Sequence, residues 1–113
     1  MTIYLKKNTS NYVCFTLNER IKLGTPNLIL QIRSKEDRSS KLMWLIGDIF
    51  YNTRRINYYW IKEVPKIDED LEMMKVNLKV GSYDYYVWET YSDDLSLDIT
   101  KDLVESGILR VEN

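Results

Sequence analysis

Leu78-Lys79-Val80-Gly81-Ser82-Tyr83-Asp84-Tyr85-Tyr86-Val87-Trp88-Glu89 decides how this chain folds. Gly81 breaks a strand predicted over Leu71 to Val80. The aromatic and β-branched run that follows makes Ser82 to Tyr91 the strongest strand in the sequence, ended by Ser92-Asp93-Asp94. A Gly two residues ahead of a Tyr, at the head of such a strand, suits a corner where the chain crosses between sheets. Crossing leaves backbone groups unpaired. A Tyr there fills the edge of the core while its hydroxyl satisfies one of them. Gly81 and Tyr83 are therefore assigned to the fold.

Working outward, the same period-2 pattern recurs. Thr2 to Leu5 reads as a short strand, and Asn8-Thr9-Ser10-Asn11 as a turn. Tyr12 to Leu17 alternates, with Val13, Phe15 and Leu17 on one face and Tyr12, Cys14 and Thr16 on the other. Asn27 to Arg33 sets Leu28, Leu30 and Ile32 on one side; Ser34 to Lys41 is a charged connection. Leu42 to Phe50 is a further strand whose Gly47 suggests a bulge. Arg54 to Val64 places Ile56, Tyr58 and Trp60 opposite Asn57, Tyr59 and Ile61, before an acidic turn over Pro65 to Asp70. Leu95 to Ser106 is ambiguous, since Thr100 could cap one helical turn through Glu105. Gly107 leads into a last strand, Ile108 to Val111. The expectation is one all-β domain over residues 1–113, an antiparallel immunoglobulin-like β-sandwich of about seven to eight strands. At most one short helical turn is allowed, near 100–105.

Composition narrows the chemistry. The chain has 113 residues, one domain's worth, with 16 Lys and Arg against 17 Asp and Glu. A net charge of −1 excludes a strongly basic coat for nucleic acid as a description of the whole chain. There is no histidine, the commonest general base and metal ligand, and a single cysteine, so neither a Ser-His-Asp triad nor a Cys-rich zinc site exists. Cys14, between bulky neighbours, reads as a small buried hydrophobe. The N-terminus lacks a signal-peptide run, and the longest apolar stretch, Leu42 to Phe50, is too short to span a bilayer. The carboxylates Asp68-Glu69-Asp70 and Asp93-Asp94 read as solvated turns, and the four glycines form no phosphate loop. No catalytic residue, cofactor or metal site is expected, and the protein is read as a non-enzyme.

The aromatics point to assembly. Leu42-Met43-Trp44-Leu45-Ile46 is apolar on both faces, and Tyr86 and Trp88 lie opposite Tyr85 and Val87. A sandwich of this size has one interior, so the surplus faces form an exposed patch of the kind that marks interfaces. Trp44, Trp60, Tyr86 and Trp88 are the expected contact residues. Two rivals use the same rings. One is an oligonucleotide-binding barrel stacking single strands, with Lys6, Lys7, Arg54 and Arg55 as cations. The other is a carbohydrate-binding module. No basic run exceeds two residues, so nucleic acid is not the expected partner.

Gly81-Ser82-Tyr83-Asp84-Tyr85-Tyr86-Val87-Trp88-Glu89, followed by an acidic loop over Ser92 to Asp98 and by Val104 to Val111, resembles small virion proteins of crAss-like tailed phages. There a Gly-x-Tyr-x-Tyr-x-Val-(Tyr or Trp)-Glu strand precedes such a loop and a final Gly-hydrophobic strand. Tyr12 to Glu19 and Arg54 to Ile61 resemble two further elements of that group, with Ile56 and Tyr59 where Tyr and Phe are usual. The resemblance implies a structural role with no catalytic residues. The implied protein is a multi-copy ring subunit of the head-to-tail region (portal, neck or upper tail), packing against copies of itself and against portal, neck or tail proteins. Its implied place is the virion, assembled in the host cytoplasm, with no membrane partner.

Overall fold

The computed structural model describes residues 2–15, 27–45, 57–90, 95 and 102–113. Within them the chain is built almost entirely of strands: β1 (Thr2–Lys6), β2 (Ser10–Phe15), β3 (Asn27–Ser34), β4 (Ser40–Trp44), β5 (Asn57–Glu63), β6 (Lys75–Val76), β7 (Gly81–Thr90) and β8 (Asp102–Glu112). They form two sheets, one of five strands in the order β1-β8-β7-β3-β4 and one of three in the order β2-β5-β6. A single hydrophobic cluster joins them, with Leu5, Leu30, Tyr85 and Leu109 from the larger sheet and Val13, Tyr59, Ile61 and Val76 from the smaller. The expected all-β, two-sheet sandwich is thus observed. Its reason is the alternation: Val13 on β2, Leu28, Leu30 and Ile32 on β3, and Tyr59 and Ile61 on β5 all turn inward as their parity requires.

β7 is the spine. It pairs antiparallel with β3 along Asn27 to Ser34 and with β8 from Gly81 onward. Tyr83, Tyr85, Val87 and Glu89 point inward and Asp84, Tyr86 and Trp88 outward. Among the described residues Tyr85 is the largest side chain wholly removed from solvent, and its partner across β8 is Gly107, which offers no side chain to compete for that space. Gly81 starts the strand at φ 154°, a backbone that side-chain-bearing residues rarely adopt, although nothing lies within 4 Å of where a Cβ would stand.

Four expectations are corrected. First, the helical turn allowed near 100–105 does not form over residues 102–105, which belong to β8; Thr100 lies outside the described residues. A bulge explains the misleading pattern. The register slips between Val87 and Trp88, leaving Val104 as the extra residue, so that Val104 and Glu105 are both buried and strict alternation is lost. Second, Leu71 to Val80 is not one strand. Asp70 caps a 3-10 turn at Leu71–Met73 by accepting from the Glu72 N–H, and Met74 follows at φ 60°. Only Lys75–Val76 then pairs. Third, the sandwich is not purely antiparallel, because β1 runs parallel to β8 and β6 parallel to β5. The 64–74 stretch, with its two 3-10 turns, supplies the long return that a parallel neighbour needs. Fourth, Ser34 to Lys41 is not wholly connection, since Ser34 ends β3 and Ser40 and Lys41 open β4. Gly47 lies outside the described residues.

Candidate functional site

Three of the four expected contact residues share one surface. On the outer face of the five-stranded sheet Ile29 is paired with Trp44 on one side and Trp88 on the other, and Trp88 is paired in turn with Leu103. In the next row Gln31 stands between Leu42 and Tyr86. Ile29 is fully buried, Leu103 is 48% exposed, and Trp44, Tyr86 and Trp88 are partly exposed. The Tyr86 and Trp88 rings lie 6.4 Å apart, tilted by 33°. Gln31 sets the rotamers: its Oε1 accepts from the Trp88 indole N–H at 3.0 Å and its Nε2 donates to Ser40 Oγ at 3.1 Å. A buried amide with both ends bonded fixes the ring it holds. Gln31 was missed in the sequence because its partner is far along the chain and becomes a neighbour only through the β3–β7 register.

Trp60 stands apart from these three. It projects from β5 on the outer face of the smaller sheet, 58% exposed, beside its cross-strand partner Tyr12, 51% exposed. The two ring centroids are 4.6 Å apart with planes tilted by 34°. The protein therefore carries two aromatic faces on opposite sides of the sandwich. Cys14 shares the second face and is only half-buried, not the core residue the sequence suggested, because its parity follows Tyr12 rather than Val13.

The crossover from β6 to β7 is tied down by charge. Glu63, wholly buried, accepts from the Asn8 N–H at 2.9 Å, the Leu78 N–H at 3.0 Å and the Lys7 ammonium at 3.1 Å, and Lys7 donates also to the Leu78 carbonyl at 2.7 Å. Glu69 repeats the device, accepting from the Lys41 ammonium and from the Asn77 N–H at 2.7 Å, while Lys41 also donates to the Asn77 carbonyl at 2.7 Å. Burial pushes the Glu69 carboxyl up, but the bonds from Lys41 and Asn77 outweigh it and hold it below the ordinary carboxylate range. The Tyr83 hydroxyl donates to the Lys79 carbonyl at 2.6 Å, the backward bond the sequence predicted. Burial raises its pKa above the ordinary tyrosine value. Glu69 is thus a clamp and not the solvated turn residue expected of Asp68-Glu69-Asp70. Lys7, one of the cations that the oligonucleotide-binding reading would use, is committed to Glu63. Arg54, Arg55, Asp93 and Asp94 lie outside the described residues.

A cavity of about 310 Å³ opens beside this crossover. Its lining includes both signs of charge, Lys41, Lys66 and Lys79 with Glu36 and Asp37, so it is not a pocket of one charge. Asp37 is engaged by the Ser39 N–H and hydroxyl, which lower its pKa. Among the described residues no group of three or more His, Cys, Asp or Glu side chains converges as metal ligands would. Against known protein families, curated proteins and solved structures, the chain finds no match.

Proposed function

We propose that this chain is an immunoglobulin-like sandwich that serves as a multi-copy structural subunit, packing through the outer face of its five-stranded sheet to form a ring in the head-to-tail region of a tailed phage particle. The observation that carries the reading is the meeting of Trp44, Tyr86 and Trp88 with Leu42, Ile29 and Leu103 on one face. Trp and Tyr dominate the energetics of interfaces, and large apolar patches on soluble domains mark contact sites. The phage assignment is supported by the resemblance of Gly81 to Glu89 and the segments around it.

The immunoglobulin-like part rests on connectivity. β7 lies between β8 and β3, β4 extends that sheet, β2 pairs with β5, and Tyr83 makes its corner bond at the head of β7. β6, parallel to β5, departs from the pattern. Of the rivals, the oligonucleotide-binding barrel asks for one five-stranded closed sheet, and the strands here form two separate sheets.

Light scattering of the purified full chain across concentration and salt tests the proposal, with Tyr86→Ser/Trp88→Ser as the comparison. A closed oligomer of one defined mass is expected, and a monomer from the double variant. Closure requires a rotation per subunit that divides a full turn, so the mass gives the copy number. A monomer at every concentration, or an open series of sizes, would overturn the self-closing ring.

A further inference from the structure

We infer that the outer face of the three-stranded sheet is a binding site for single-stranded nucleic acid, with Tyr12 and Trp60 stacking bases and Lys62 and Lys75 taking backbone phosphates. This goes beyond the proposed assembly role and uses the opposite face of the molecule.

Two independent observations carry it. The first is the ring pair. Tyr12 and Trp60 are each more than half exposed, and at 4.6 Å they already form a short tilted stack. Such a stack is extended by another flat π surface, and every base has one. The second is the charge beside it. Lys62 follows Trp60 by two residues on β5 and so stands on the same face; parallel pairing sets Lys75 of β6 directly opposite it. Like charges directly opposite in a sheet repel. Neither lysine has an ion pair among the described residues. Asp70 faces Lys75 across an antiparallel bridge, where its carboxylate accepts the Glu72 N–H and forms no ion pair with Lys75, while Lys62, between Ser10 and Lys75, faces no carboxylate and its neighbour Glu63 is turned inward to Lys7. Two ammonium groups without an ion pair among the described residues, next to an open aromatic stack, match a ligand that alternates rings with negative charge. The sequence hides this because the face combines residues from β2, β5 and β6, none of them in a basic run.

Anisotropy of a short fluorescein-labelled oligo(dT), titrated with the full chain over a range of salt, is the test. The logarithm of the binding constant should fall against the logarithm of salt with a slope of about −1.4, two phosphate contacts on a single strand. Lys62→Ala and Lys75→Ala should each flatten the slope by about 0.7. Trp60→Ala should weaken binding about 5- to 150-fold, and Trp60→Phe should restore part of it. The rings are exposed, so these variants keep the core, which circular dichroism would check. Three results would overturn the inference: no binding, equal binding by Trp60→Ala, or displacement of the oligonucleotide by heparin or polyglutamate at equal charge. The last would identify a general polyanion surface with no use for bases.

Discussion

Tyr59 shows how a single side chain sets the alkaline limit of this fold. Its ring sits in the core between the sheets, and burial pushes its phenol up to about 12 from an ordinary 10.0. The folded state therefore holds the proton more tightly than the unfolded chain. Stability from this group is complete below pH 10 and is lost as pH rises from about 10 to 12, at most about 3 kcal/mol over that interval. Tyr83 shifts in the same direction. Urea unfolding at a series of alkaline pH values should show stability falling across that window for the native chain and a shallower fall for Tyr59→Phe. Identical curves for the two would refute the assignment.

Among the elements, the crossover at 77–80 is the one most exposed to a single change. Its segment has no ladder of its own, and Glu63 and Glu69 supply the acceptors that a strand would have provided. Removing the Glu63 carboxylate strands two backbone N–H groups and leaves the part-buried Lys7 ammonium with only the Leu78 carbonyl, so Glu63→Ala should cost about 3–5 kcal/mol in urea unfolding, and Glu63→Gln clearly less because one acceptor oxygen remains. Equal losses from both variants would mean that the charge, and not the count of acceptors, holds the segment. None of this was readable in the sequence. Asn8 and Leu78 meet at Glu63 from 55 residues before it and 15 after it, whereas the strands they join were plain from period-2 alternation within a few residues. The Gly81–Tyr83 corner was readable for the opposite reason, since the Tyr83 hydroxyl bonds to the Lys79 carbonyl only four residues back. The short β6 and the bulge at Val104 broke the alternation locally, and both were misread.

For the molecule as a whole, the sandwich separates two surfaces that the sequence presented as one set. Trp44, Trp60, Tyr86 and Trp88 were readable as rings with no place in a single core, because parity alone shows a strand with two apolar faces. Which sheet each strand joins is a matter of long-range pairing, and that pairing sends Trp60 to the side away from the other three. A rigid core between the faces has a consequence. Residues in different sheets with no shared partner should act additively, within about 0.5 kcal/mol. Tyr86→Ser/Trp88→Ser should therefore change the mass in solution and leave oligonucleotide affinity per chain unaltered, while Trp60→Ala should lower that affinity and leave the mass unaltered. The combined variant should show both losses at their separate sizes. If Trp60→Ala also dissociates the oligomer, the smaller sheet takes part in the subunit contact and the two faces serve one interface.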